Sequence, residues 1–152
     1  VTEKQKYEEY LSHNKVIVEV LSLICGFLFT SITIILTFVQ DGNGILVQAT
    51  ILFLTLIFYF SLYVLLDNLE MVFHYIEEIP PMTLKVRPFF NLMLIIYLFG
   101  SSTVLMFLLF KFLYLAIVCA AIWLIFILIS INLTARRFYK QSVKRVWKKA
   151  AS

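Results

Sequence analysis

Long apolar runs separated by short charged breaks set the rhythm of this chain. Asp, Glu, Lys and Arg are absent from Val20–Gln40, Gly42–Leu66, Pro88–Phe110 and Phe112–Ala135, runs of 21 to 25 residues. A helix rising about 1.5 Å per residue needs about 20 residues to cross roughly 30 Å of hydrocarbon. The pattern therefore predicts an all-α, four-helix transmembrane bundle with cytoplasmic extensions of helices one, two and four. It makes residues 1–152 a single four-span membrane domain. The spans fall at about 16–40, 44–66, 88–110 and 112–135, followed by a basic amphipathic tail at 136–150.

The breaks refine the helix ends. Thr2 and Gln5 have the spacing of a capping box, and neither Pro nor Gly interrupts the chain before Gly26. Helix one therefore begins well before the membrane and stops at "DGNG", a turn signal. Helix two overruns its span as far as Pro80-Pro81, and Pro88 suits the first turn of helix three. The break at Lys111 has neither Gly nor Pro and must be tight. A turn at Gly100–Ser102 would leave span three only about 12 residues long, too short to cross. "GSS" is thus a kink or a close-packing point inside helix three.

Composition agrees: 62% of residues are apolar and 14% charged, against roughly a quarter charged in soluble domains. Twelve of the thirteen Lys and Arg lie in the N-terminal arm, the break between spans two and three, and the tail; Lys111 is the exception. The positive-inside rule then predicts an integral, multi-pass protein of the cell membrane with both termini cytoplasmic. The charged opening "VTEKQKYEEYLSHNK" does not resemble a cleaved secretory signal. Cys25 and Cys119 fall inside spans without a CxxC partner and are expected as small buried residues. No nucleophile–base pair, phosphate-binding Gly loop or zinc motif appears, so neither enzymatic activity nor a cofactor is expected.

Helix one carries the candidate chemistry. Lys15, Glu19, Ser22, Gly26, Thr30, Thr33, Thr37 and Asp41 follow in steps of three and four and so share one face. Every member is small, hydroxylated or charged. Such a face can be a packing seam, with hydroxyls bonding across the contact or back to their own helix. It can also line a polar path if several copies of helix one surround an axis. Rings of Asp41 and Glu19 at the two mouths, where water begins, would then concentrate permeating cations.

Four further features resemble the Orai calcium channels: "LICGF" on helix one, a short acidic turn, "LLDNLEMV" at the end of helix two, and "IFILISINLTARRFYKQSVKR" running out of span four. That family has four-span subunits whose first helices ring a central pore. Aligned from Gly26 and Phe27, its pore-facing positions correspond to Lys15, Glu19, Leu23, Phe27, Thr30 and Ile34. Ile34 stands at the family's filter glutamate and Glu19 at a basic pore position, which leaves Asp41 as the nearby acid. The resemblance implies a pore lined by helix one and calcium as the permeating ion.

Two charged elements remain. Asp67, Glu70, His74 and Glu77 or Glu78 share a face at the end of helix two. Glu70, His74 and Glu78 have spacings that could hold a divalent ion, but no second Glu-x-x-His motif completes a di-metal site, and a solvated acidic face pairing with the basic tail is the preferred reading. In the tail, Tyr139, Val143, Val146 and Trp147 lie on one side. The basic residues are Arg136, Arg137, Lys140, Lys144, Arg145, Lys148 and Lys149. This composition suits anionic lipid headgroups or a cytosolic regulator, and not nucleic acid. The sequence therefore predicts an oligomeric cation channel. The alternative is a non-conducting membrane scaffold or accessory subunit, equally a homo-oligomer, that recruits partners through its basic C-terminal helix.

Overall fold

The computed structural model describes residues 3–39, 44–76 and 86–151. It contains four helices: α1 (Glu3–Phe38), α2 (Ile45–Ile76), α3 (Val86–Leu109) and α4 (Leu113–Ala150). Each is long and apolar enough to cross a membrane, over Ser12–Phe38, Ile45–Glu70, Phe90–Leu109 and Leu113–Arg137. The all-α four-helix expectation holds, with small shifts at the ends. α1 ends at Phe38, short of "DGNG", whose first three residues lie outside the described ones. The proposed cap at Thr2 also lies outside them. α3 begins two residues before Pro88, which keeps that proline in the first turn, where backbone N–H groups have no helical acceptor. α4 runs without a break through span and tail.

Cross-helix contacts fix an up-down-up-down order. Tyr59 stacks on Trp123, Tyr63 meets Phe126 and Glu70 meets Thr134, so α2 and α4 run parallel. Phe29 packs on Phe99 and Thr33 reaches Met106, so α1 and α3 run parallel as well. Tyr97 meets Ser130 while Ser101 meets Trp123, so α3 and α4 are antiparallel. α2 touches all the other helices and is the most enclosed, whereas α1 packs chiefly against α2 and is the least. One end of the bundle holds the start of α1, the end of α2 and the exit of α4; this is the basal end below.

An aromatic layer fills mid-bundle. Phe29, Phe58 and Phe99 form a cluster with centroid separations of 4.8 to 5.9 Å, and Tyr59 stacks on Trp123 at 4.7 Å. Trp123 donates its indole N–H to the Tyr97 carbonyl and to Ser101 Oγ. Its ring lies against Gly100, where any Cβ would overlap it. "GSS" is therefore a close-packing point in a continuous helix, because only glycine admits the indole there.

The tight break at Lys111 has a definite geometry. Phe112 N–H donates to the Phe107 carbonyl at 2.8 Å and Lys111 N–H to that of Leu108 at 3.1 Å, the paired bonds of a Schellman helix end. Lys111 takes the left-handed conformation, with φ 64°. A non-glycine residue there costs roughly 1 kcal/mol. Phe107, fully buried beneath the turn, and Phe112, packed against the core, offset that cost. Sequence alone missed this because the usual glycine is absent.

Candidate functional site

α1 presents two neighbouring faces with the same three-and-four spacing. Asn14, Val18, Leu21, Cys25, Leu28, Ile32 and Ile35 form the face turned inward, with Asn14, Cys25 and Ile32 fully buried. The polar stripe lies one residue further on, about 100° around the helix. Lys15, Glu19, Ser22, Gly26, Thr30 and Thr37 are all exposed, and Thr33 is half-buried against Met106. Leu23 and Phe27 are each 74% exposed, and Ile34 is exposed beside them. The stripe is thus no seam within one chain. A Cβ added at Gly26 would meet nothing within 4 Å, so no helix of the same chain uses that notch. Asp41 lies outside the described residues.

The stripe's hydroxyls are already satisfied. Ser22, Thr30, Thr33 and Thr37 each donate to the carbonyl four residues earlier, at 2.8 to 2.9 Å. Such back-bonding lets a hydroxyl reside in an apolar setting without a partner helix, yet its oxygen keeps lone pairs free to accept. Glu19 is different. It is exposed one turn from Lys15, at the basal edge of the charge-free run Val20–Gln40.

A second site lies at the basal end, between α2 and α4. Arg137 Nη1 donates to Asp67 Oδ1 at 2.7 Å and to Glu70 Oε2 at 3.2 Å; Thr134 Oγ1 also donates to Glu70 Oε2, at 3.2 Å. Glu70 is buried, and Asp67 and Arg137 are about one-third exposed. The acidic end of α2 does meet the start of the tail, but differently from the expected solvated face. Glu70 is enclosed, and its partner is Arg137, grouped in the sequence with the lipid-facing cations. Arg137 turns in while its neighbour Arg136 stays exposed.

Above this cluster a ladder of side-chain hydrogen bonds crosses the helices. Tyr97 OH donates to Ser130 Oγ at 3.0 Å. Tyr59 OH and Thr103 Oγ1 lie 2.6 Å apart, and because Thr103 already donates to the Gly100 carbonyl, Tyr59 is the donor. These contacts were not visible in the sequence, where Tyr, Ser and Thr in apolar spans carry no mark of their partners.

The proposed ion ligands Glu70, His74 and Glu78 are not seen together. Glu70 is engaged by Arg137; the His74 side chain and all of Glu78 lie outside the described residues. Among the described residues, no group of three His, Cys, Asp or Glu side chains gathers to hold a metal. Cys25 and Cys119 are free and buried, as expected. In the tail, Arg136 and Lys140 are exposed, as are Tyr139, Val143 and Trp147. Lys144, Arg145, Lys148 and Lys149 continue the same helix, with side chains outside the described ones.

The outer surfaces of the spans are apolar, with Phe53, Phe60, Leu98, Leu105, Leu124 and Leu128 all exposed. Four such helices define an integral, multi-pass membrane protein. Comparison with family models, with curated proteins and with solved structures finds no match.

Proposed function

We propose that this chain is the subunit of a homo-oligomeric cation channel in which copies of α1 face one another and line the path. The observation that carries this reading is the exposed stripe of α1, small or hydroxylated along the span and ending in Glu19 at its basal edge. An axis shared between copies would place that stripe in water, with a ring of Glu19 carboxylates at its mouth. Gly26 permits close approach, and the back-bonded hydroxyls retain acceptor lone pairs toward a passing cation. The likeness to Orai subunits supports the same arrangement and points to calcium, with Asp41 at the outer mouth. The exposed cations and aromatics of the tail would rest on anionic headgroups of the cytoplasmic leaflet.

The stripe's self-satisfied hydroxyls favour a second reading, a non-conducting scaffold subunit that associates through the same face. Ion flux separates the two. Purified protein in liposomes should pass cations, and Glu19→Gln should alter the rate or the selectivity. Association without flux at any cation gradient would leave the scaffold.

A further inference from the structure

A groove of about 500 Å³ opens between α3 and α4 near the basal end. Met93, Tyr97 and Thr134 form its floor, with Met93 and Thr134 buried. Leu94 on α3 and Ile131 and Ala135 on α4 form its rims, all exposed. Small-molecule sites fall in the same range, about 300–1,000 Å³. The two hydroxyls of the floor are spent inside the bundle, Tyr97 donating to Ser130 and Thr134 to Glu70. The groove therefore offers its occupant only hydrocarbon, and the flexible Met93 side chain adapts to an irregular chain.

Polar groups begin beside it. Ile131, Ala135 and Tyr139 follow one another along α4 as an exposed row at four-residue spacing. Asn132, Arg136 and Lys140 form the adjoining row, also exposed. The ion pairs among the described residues belong to Arg137, so Arg136 and Lys140 keep an uncompensated positive charge. Asn132 stands about 6 Å deeper than Arg136, one turn further into the bundle, and inside the candidate span Leu113–Arg137. An amide that faces outward from an apolar span is costly without a polar partner.

These features select the occupant. It presents hydrocarbon to the groove, an oxygen acceptor to Asn132 and a negative charge to Arg136 and Lys140. A glycerophospholipid carries an acyl chain, an ester carbonyl and a phosphate in that order. A second copy seated here by two-fold symmetry would instead bring the like charges of two tails together. We propose that the α3–α4 groove binds one acyl chain of an anionic glycerophospholipid, with Asn132 donating to its ester carbonyl and Arg136 and Lys140 holding its headgroup. Thr134 belongs both to the groove floor and to the Glu70 cluster, so the lipid braces α4 where it leaves the bundle. This site is separate from the α1 path and does not depend on it.

The full-length protein in bilayers tests the proposal with phosphatidylglycerol or phosphatidylcholine carrying a photoactivatable group on one acyl chain. After irradiation, peptide mass spectrometry locates the adducts. The expected result is labelling concentrated on Met93, Leu94 and Ile131, with phosphatidylglycerol exceeding phosphatidylcholine roughly fivefold at equal mole fraction, the scale of one cation near an anionic headgroup. Arg136→Gln combined with Lys140→Gln should bring the two lipids level. Ala135→Phe, at an exposed rim position, should fill the groove and remove the concentrated adducts of both lipids. Equal labelling by the two lipids, spread evenly over the outer faces of all four helices, would reduce the groove to ordinary bilayer contact. Protection of the groove from both lipids, with copies cross-linking through Leu94→Cys in a background with Cys25 and Cys119 replaced, would assign it to a second copy. A preference for phosphatidylglycerol that survives the double substitution would place the headgroup elsewhere. Each of these three results overturns the proposal.

Discussion

The outer face of α1 and the junction of α2 with α4 contain the same kinds of side chain, hydroxyls and charges in an apolar helix, put to opposite uses. On α1 the hydroxyls of Ser22, Thr30 and Thr37 return to their own backbone and stay exposed among the described residues, and Thr33 alone of the stripe is half-buried, against Met106. At the junction hydroxyls and charges reach across: Thr134 to Glu70, Arg137 to both Asp67 and Glu70, Tyr97 to Ser130. The first region is stable as a helix and open to a partner. The second is a lock that holds two helices in register. Polar residues in a span thus signal neither packing nor a path by their type alone; the destination of their hydrogen bonds decides.

The lock should break hardest. Arg137→Ala strands two carboxylates and should cost roughly 2–4 kcal/mol, toward the low side because a third of Arg137 is exposed. Arg136→Ala, one residue away and exposed, should stay within about 0.5 kcal/mol. Reversible unfolding in mixed micelles reads both. Equal effects would mean that Arg137 is as free as its neighbour.

The glycines give the next contrast. Gly100→Ala forces a methyl into the Trp123 indole and should destabilise by about 1–3 kcal/mol. Gly26→Ala meets open space and should be neutral, or stabilise the single chain by up to about 1 kcal/mol through helix propensity. It should at the same time weaken association between copies, as read by chemical cross-linking in the bilayer. A loss of single-chain stability at Gly26 would mean that the α1 face is packed within one chain.

The hydroxyls themselves are the finest test. Tyr59→Phe removes the donor of the 2.6 Å bond to Thr103 and should cost about 1 kcal/mol. Thr30→Val deletes a bond made only to its own helix and should change stability by no more than about 0.5 kcal/mol. If the two cost the same, cross-helix and back-bonded hydroxyls are energetically alike and the contrast between the two regions fails.

The helices were legible because run length and charge-free composition are one-dimensional signals. So was the continuity of α3, since a turn at "GSS" leaves too short a span. The choice between α1's two faces was not legible. Cys25 and Ile32 point inward and Gly26 and Thr33 stand beside them, one residue apart, and both series keep the same spacing. Nor could the sequence tell Arg136 from Arg137, because that choice depends on where Asp67 and Glu70 stand on a different helix. Local periodicity reports that a face exists, and only the packing of α2 reports which face it meets.

Water access along α1 tests the central claim most directly. In a background with Cys25 and Cys119 replaced, single cysteines at Thr30, Thr37 and Leu128 can be probed in bilayers with a membrane-impermeant thiol reagent. All three positions are exposed on one chain. The account predicts that Thr30→Cys and Thr37→Cys react while Leu128→Cys, facing lipid, does not. Equal protection at all three positions would contradict a water-filled path lined by α1.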